Sequence, residues 1–297
     1  MINSHPGLPE FDYVKPASLK EASQFLSQHA GDARPFMGGT DIIVRMRDGF
    51  YKEKFLVDVK GLDGTNKITF DHQKGLTIGA AVTMNMVAAH PDILKHYGVL
   101  ADAAHSVASY QLRNRATVIG NICNASPAGD SIGACLVLNG VLKVHGVDGV
   151  RDEPLSTFFK GPGKTVLKTG DIVTSIFLPL PPEKAAGKYL KLGRNVISDL
   201  SIVGVTVYGY ADAKAKSGYT FKLALASVAP VPFVPVTSEK ILAEKLLTDD
   251  VIQEAAVAAM DAVTPIDDVR GSAQYRKLMV RNLVRQGITA VLSQLKK

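Results

Sequence analysis

The sequence predicts an α+β chain in two parts: helices mixed with strands over residues 1–180, then an antiparallel sheet with helices over 185–297. Three observations predict it. Short β-like runs alternate with capped apolar helices through the first part. Pro179-Leu180-Pro181-Pro182, followed by Glu183-Lys184-Ala185-Ala186-Gly187, makes a linker that disfavours helix and strand alike. Beyond it, Ile202–Tyr210 and Tyr219–Val228 alternate β-branched or aromatic residues with small ones, the pattern of paired strands.

Taken in order, Ser18-Leu19-Lys20-Glu21 reads as a capping box, with Leu19, Ala22, Phe25 and Leu26 on one face of the helix it opens. Gly31 ends that helix. Arg34-Pro35-Phe36-Met37 is a short extended run, Gly38-Gly39-Thr40-Asp41 a turn, and Ile42-Ile43-Val44 the start of a helix. Phe55–Val59 and Leu76–Gly79 read as strands, and Thr83 caps a helix running to His90. Residues 99–109 are alanine-rich and helical. A polar loop runs from Gln111 to Asp130; a helix follows over Ile132–Leu138, with Gly133 as its weak spot. Ile172–Leu178 is a strand ended by Pro179. After the two alternating strands come helices over Ser238–Leu246, Asp250–Met260 and Gln274–Leu295, the last with Gly287 as a kink.

Composition excludes several classes. No run of about 18 apolar residues crosses a membrane. Met1-Ile2-Asn3-Ser4-His5-Pro6 lacks the basic and apolar stretches of a secretory signal, so a cytoplasmic protein is expected. The net charge of +6 is local. Arg270, Arg276, Lys277, Arg281, Arg285, Lys296 and Lys297 carry it, and the remainder holds 27 basic against 28 acidic residues. That tail reads either as a solvated helix face with cations near a C-terminus or as a docking surface for an acidic partner. No basic stripe interleaved with aromatics suggests nucleic acid. Two cysteines, Cys123 and Cys135, cannot ligate an iron–sulfur cluster, and the seven histidines do not gather into a zinc site; no metal is expected.

Two segments ask for a ligand. Strand, glycine turn, helix over residues 34–44 presents backbone N–H groups to a phosphate, and two glycines let the main chain approach closely. Neither the dinucleotide fingerprint nor the Walker pattern is present. Thr117 to Asp130 gathers Thr117, Asn121, Asn124, Ser126 and Asp130 around Gly120 and Gly129, a density of polar groups costly to bury unsatisfied.

With those segments in hand, "FMGGTDII" followed about 80 residues later by "QLRNRATVIGNICNASPAGD" resembles the FAD-binding medium subunit of the molybdenum hydroxylases, the xanthine dehydrogenase and carbon monoxide dehydrogenase family. Phe11–Ala22, the Ile78-Gly79-Ala80 strand end with Thr83, and Asp267–Arg276 resemble further stretches of that family, in its order. The resemblance implies an FAD-binding domain of the vanillyl-alcohol-oxidase (PCMH) type over 1–180, with lobes of about 1–58 and 59–180 and the flavin between them. It implies a C-terminal sheet-plus-helices domain over 185–297. Cofactor contacts are then expected from Pro35, Phe36, Met37, Gly38, Gly39, Thr40, Asp41 and Ile42 on one wall, with Asp41 capping the next helix. Ala81, Val107, Ala116, Thr117, Gly120, Asn121, Cys123, Asn124, Ser126, Gly129 and Asp130 form the other. Val107 falls near the isoalloxazine ring, and Ile172 or Val173 near its dimethylbenzene or the adenine end. Asp130 cannot favour phosphate, so it is expected to accept from ribose or ribityl hydroxyls or the ring edge. Asp171 stands where the family has glutamate. Ile119 stands where the family has a second glycine; a branched side chain there demands negative φ and takes space beside the cofactor.

No catalytic side chain stands out: Asp12, His72, His96 and His145 are isolated, and there is no nucleophile elbow. That suits a subunit in which the cofactor carries the chemistry. The resemblance implies two partners, a large molybdenum-cofactor subunit and a small 2Fe–2S subunit, in a dimer of heterotrimers. NAD, a quinone or another carrier accepts the electrons. Two other readings stand beside it: an assembly subunit with weakened FAD binding, resting on Ile119, and a stand-alone flavin oxidoreductase.

Overall fold

The structure is a computed structural model that describes residues 7–195 and 197–297; the reading of Met1–Pro6 lies outside the described residues. β1 (Asp12–Val14), α1 (Leu19–Gln28), β2 (Ala33–Phe36), α2 (Ile42–Arg47) and β3 (Phe55–Asp58) form the first layer. Its strands pair in parallel in the order β1-β3-β2, leaving β2 on an edge. The Ser18 hydroxyl accepts from the Glu21 N–H, and the Glu21 carboxylate reaches back to the Ala17 N–H at 2.7 Å, so two amides of the first turn are satisfied. Ala22 and Leu26 then bury against Val57, Val59 and Leu62.

The next stretch comprises β4 (Ile68–Asp71), β5 (Gly75–Gly79), α3 (Met84–Ala89), α4 (Pro91–His96), α5 (Gly98–Ser106), α6 (Tyr110–Arg113), α7 (Val118–Asn124) and α8 (Asp130–Val137). It continues through β6 (Val141–Gly146), β7 (Gly149–Pro154), α9 (Leu155–Phe158), the small hairpin β8 (Phe159–Gly161) and β9 (Lys164–Thr165), and β10 (Ile172–Pro179). A five-stranded antiparallel sheet runs β4-β5-β10-β6-β7. β10 connects two cores. Ile172 packs in the small core with α1 and β3, while its neighbour Val173 points into the large core.

Residues 111–130 are not a polar loop; they hold α6 and α7. Ser109 and Thr117 supply the caps, their hydroxyls accepting from the Leu112 and Gly120 N–H groups. Val118, Ile119 and Ile122 then supply a buried stripe. Ala125 closes α7 in the left-handed region (φ 48°). Between residues 139 and 171 the sequence reading places no element, yet β6 and β7 form a hairpin there, with Leu142 and Val144 facing the core.

The last third holds β11 (Ala186–Leu192), β12 (Val203–Ala211), β13 (Tyr219–Ala226), α10 (Val236–Glu244), α11 (Asp249–Ala262) and α12 (Ala273–Leu295). The strands are antiparallel in that order. Ala186 and Gly187 belong to β11 rather than to a linker. Both faces of this sheet are buried: Val203, Val205 and Val207 face α12, while Thr206 and Tyr208 face α5 and α8. Gly133 and Gly287 are therefore contact points, not a weak spot and a kink. A Cβ at Gly133 would meet Thr206 Oγ1 at 2.4 Å, and one at Gly287 would meet Val207 Cγ2 at 2.6 Å. α12 runs unbroken through Gly287.

Part of the basic tail is also structural. Arg276 is 2% exposed. It donates to the Ser227 carbonyl at 2.9 Å, to the Ile202 carbonyl and to Asp268, which also binds Arg270. The Ser227 N–H donates to the Pro127 carbonyl at 2.8 Å, so this tie reaches the turn between α7 and α8.

Candidate functional site

A cleft of about 790 Å³ opens between the β2–α2 turn and the α7–α8 turn, within the range of ligand sites. The two walls touch directly. A Cβ at Gly38 would lie 2.1 Å from the Arg115 carbonyl oxygen, so only glycine lets these backbones meet. Gly39 has φ +77°, and the Phe36 ring sits 2.7 Å from where its Cβ would be.

All the expected cofactor residues line this cleft except Phe36 and Ala81. Phe36 props the turn from behind. The Ala81 N–H donates to the Thr65 carbonyl at 2.6 Å, away from the opening. Several lining groups are not among the expected cofactor contacts: Arg34, Tyr51 and Glu53 beside β2; Met84, Ala108 and Leu112 at an apolar end; Leu167 to Asp171; and Ser198 to Leu200 from the last third. Lys168-Thr169-Gly170 carried a turn signal; Ser198 to Leu200 arrive only because β11 and β12 fold back over the opening.

Polar side chains in the cleft divide into donors and neutralised acids. The Thr117 hydroxyl accepts from the Gly120 N–H at 2.9 Å, so that amide is committed and the hydroxyl hydrogen remains to donate. Asn121 accepts from Ser131 through Oδ1, which leaves its Nδ2 to donate. Among the five carboxylates that line the cleft, four are bound to protein cations: Glu53 to Arg34, Asp130 to Lys191, Asp171 to Arg151 and Asp199 to Arg194.

Burial tends to raise the Asp171 pKa, but Arg151 and the Lys168 N–H outweigh it and hold the group below the carboxylate range. Asp199 is held at about 2, chiefly by Arg194. Burial raises Asp130 against the pull of Lys191 and Tyr189. Asp41 is the exception. Its backbone is already helical (φ −95°, ψ −45°) and it makes no cap bond, so the expected capping role is absent. The Gly39 carbonyl instead receives the Ile43 N–H. Desolvation raises the Asp41 pKa and Arg45 opposes the rise. Burial pushes the Cys123 and Cys135 thiols up to about 12, so neither supplies a thiolate at neutral pH.

Residues 9–181 match the model of the FAD binding domain in molybdopterin dehydrogenase. The chain belongs to this FAD-binding family. Residues 188–291 match the CO dehydrogenase flavoprotein C-terminal domain. The chain is 28% identical to the carbon monoxide dehydrogenase medium chain of Hydrogenophaga pseudoflava, covering 95% of this chain and 97% of that one. It is 27% identical to the xanthine dehydrogenase FAD-binding subunit of Escherichia coli O157:H7, covering 95% and 96%. The solved Hydrogenophaga pseudoflava carbon monoxide dehydrogenase that lacks the Mo-pyranopterin moiety superposes with a TM-score of 0.92 at 28% identity, covering 97% and 99%. The cofactor of this flavoprotein family is FAD, and the chain is an oxidoreductase subunit.

The residues present fit that group. A pyrophosphate needs donors and no bare carboxylate. Here glycines bring the backbone close, hydroxyl and amide donors stand on the facing wall, and four of the five acids are already paired. Asp130 finds its partners within the protein: Tyr189 Oη donates to one oxygen at 2.6 Å and Lys191 Nζ to the other at 2.7 Å, so cofactor hydroxyls are not needed to satisfy it.

Ile119 lines the cleft with a helical backbone, as its sequence expectation has it, and its side chain also reaches the core. It is 3% exposed, sits in the first turn of α7 with helical φ, and packs in the large core. Nothing in this backbone requires glycine there. Ile119→Gly is expected to destabilise the chain by about 3–5 kcal/mol, from the lost side chain and the flexible helix position, without tightening FAD binding. Chemical denaturation and an FAD titration of the variant check both parts.

Proposed function

We propose that this chain is the FAD-carrying electron-transfer subunit of a cytoplasmic molybdenum-containing hydroxylase. In this reading a small subunit with 2Fe–2S clusters delivers electrons, a large molybdenum-cofactor subunit acts on the organic substrate, and NAD, a quinone or another carrier takes the electrons away. The assembly is a dimer of heterotrimers. The observation that carries the reading is the cleft itself: two glycine-enabled backbones in contact, facing donors, and four of its five acids paired from within, in a chain whose residues 9–181 match the family's FAD-binding domain. Bound FAD supplies two-electron chemistry joined to one-electron carriers.

The chain's own residues do the rest. Gly38 and Gly39 seat the pyrophosphate, and Thr40, Thr117, Asn121 and Ser126 donate to it and to the sugar chain. Met84, Val107, Leu112 and Ala116 exclude water from the ring end. Lys191 holds the Asp130 carboxylate and keeps that acid from facing the cofactor as a bare charge. Ile119 packs into the core as well as lining the cleft, which supports the FAD-carrying reading over the assembly-subunit one. Purification of the chain with its partners is expected to give a yellow complex with one FAD per copy of this chain. Its flavin should bleach on addition of the complex's substrate. A colourless complex that takes up no added FAD would refute the proposal. Among the described residues no helix is long and apolar enough to cross a membrane.

A further inference from the structure

Three side chains at the β2 end of the cleft have no assigned contact with the pyrophosphate or the flavin ring: Arg34, Tyr51 and Glu53. Arg34 Nε donates to Glu53 Oε1 at 2.7 Å, and its Nη2 pairs with the same oxygen. Its guanidinium lies over the Tyr51 ring, 4.0 Å from the centroid. Glu53 is only 8% exposed, and its second oxygen, Oε2, has no partner in the protein. A buried carboxylate oxygen without a donor is costly unless the corner serves a group the protein does not itself provide.

The placement says which group. A guanidinium is flat and has two faces; Tyr51 takes one and Glu53 takes an edge, while Arg34 remains 40% exposed on the cleft. Arg34 lies on β2, four residues before Gly38 in the turn that follows, a span of up to roughly 13 Å, enough to pass from a pyrophosphate to the base of its nucleoside. The other end of the cleft is apolar, lined by Met84, Val107 and Leu112, and suits the larger flavin ring. A flat cation fixed against an aromatic ring recognises a second flat π-system by stacking.

We propose that Arg34 is the specificity residue for the adenosine half of the cofactor: adenine stacks on the free face of its guanidinium, with Tyr51 behind and Glu53 fixing the plane. This rests on the FAD reading above and deepens it. The subsite makes the chain select a dinucleotide flavin over FMN.

The test uses the full chain stripped of flavin, titrated with FAD and with FMN. The wild-type chain is expected to prefer FAD. Arg34→Ala should weaken FAD about tenfold and leave FMN unchanged, and Arg34→Lys should not rescue it, because an ammonium has no flat face. Since Arg34→Ala leaves Glu53 unpaired, the double variant Arg34→Met with Glu53→Gln removes the cation without stranding a charge, and should show the same selective loss. FAD binding unchanged in both variants, or FMN weakened equally with FAD, overturns this inference while the FAD reading stands. A wild-type chain that holds neither flavin overturns both.

Discussion

Gly38→Ala is expected to weaken FAD binding roughly a hundredfold, the equivalent of about 3 kcal/mol. The added methyl would sit 2.1 Å from the Arg115 carbonyl oxygen, 2.9 Å from its carbon and 3.3 Å from the Ala116 Cα. All three are backbone atoms, so no side-chain rotation relieves the clash. The two walls must separate, and both the pyrophosphate turn and the start of α7 move with them. Gly61→Ala is the matched control, because nothing lies within 4 Å of a Cβ there and its φ is not positive. Fluorescence titration of both variants gives the comparison. Full FAD affinity in Gly38→Ala would show that the contact between the walls does not shape the site.

Lys191→Met is expected to cost about 3–5 kcal/mol of stability, lowering the melting temperature by on the order of 10 °C, because it strands a buried carboxylate. Asp130 is 6% exposed, and Lys191 and Tyr189 are its partners. The effect carries a pH signature. Burial already raises the Asp130 pKa in the folded chain, and losing Lys191 raises it further. The folded state then binds the Asp130 proton more tightly than the unfolded state does, so stability falls as pH climbs from the unfolded carboxylate value towards the raised folded one. The deficit against wild type should be small near pH 4 and full at pH 8. Thermal melts across that range read it directly; a pH-independent deficit would mean that packing, not charge, is what Lys191 supplies. The same pair ties β11 to the start of α8, so loss of flavin should accompany loss of stability.

Much of the site was legible because its signals are local. A Gly-Gly turn between strand and helix, and a run of Thr, Asn, Ser and Asp around two glycines, announce backbone approach and unsatisfied polar groups without any tertiary knowledge. The resemblance of these two segments to one family put them on opposite walls of one site. Yet the same polar density hid α7. Polar residues at 117, 121 and 124 mask an apolar stripe only three residues wide, and Thr117 reads equally as loop and as cap. Ile119 shows the same ambiguity: beside a glycine turn it suggests space taken at the cofactor, and within α7 it serves both the cleft wall and the core.

Arg34, Tyr51 and Glu53 carried no sequence signal as a group, since 19 positions separate the ion pair. Nor does anything near residue 130 announce that its partners lie at 189 and 191, about 60 residues on.

The sequence by itself determined the order of helices and strands in outline, the two ligand-seeking turns and the family to which they point. Those follow from dihedral preferences, caps and hydrophobic period, which act over a few residues. Tertiary structure alone decided that Gly38 meets Arg115, that four cleft acids are neutralised from within, and that Gly133 and Gly287 let helices lie on both faces of one sheet. These depend on which distant atoms come within a few ångströms of one another, a property of packing that no local pattern encodes.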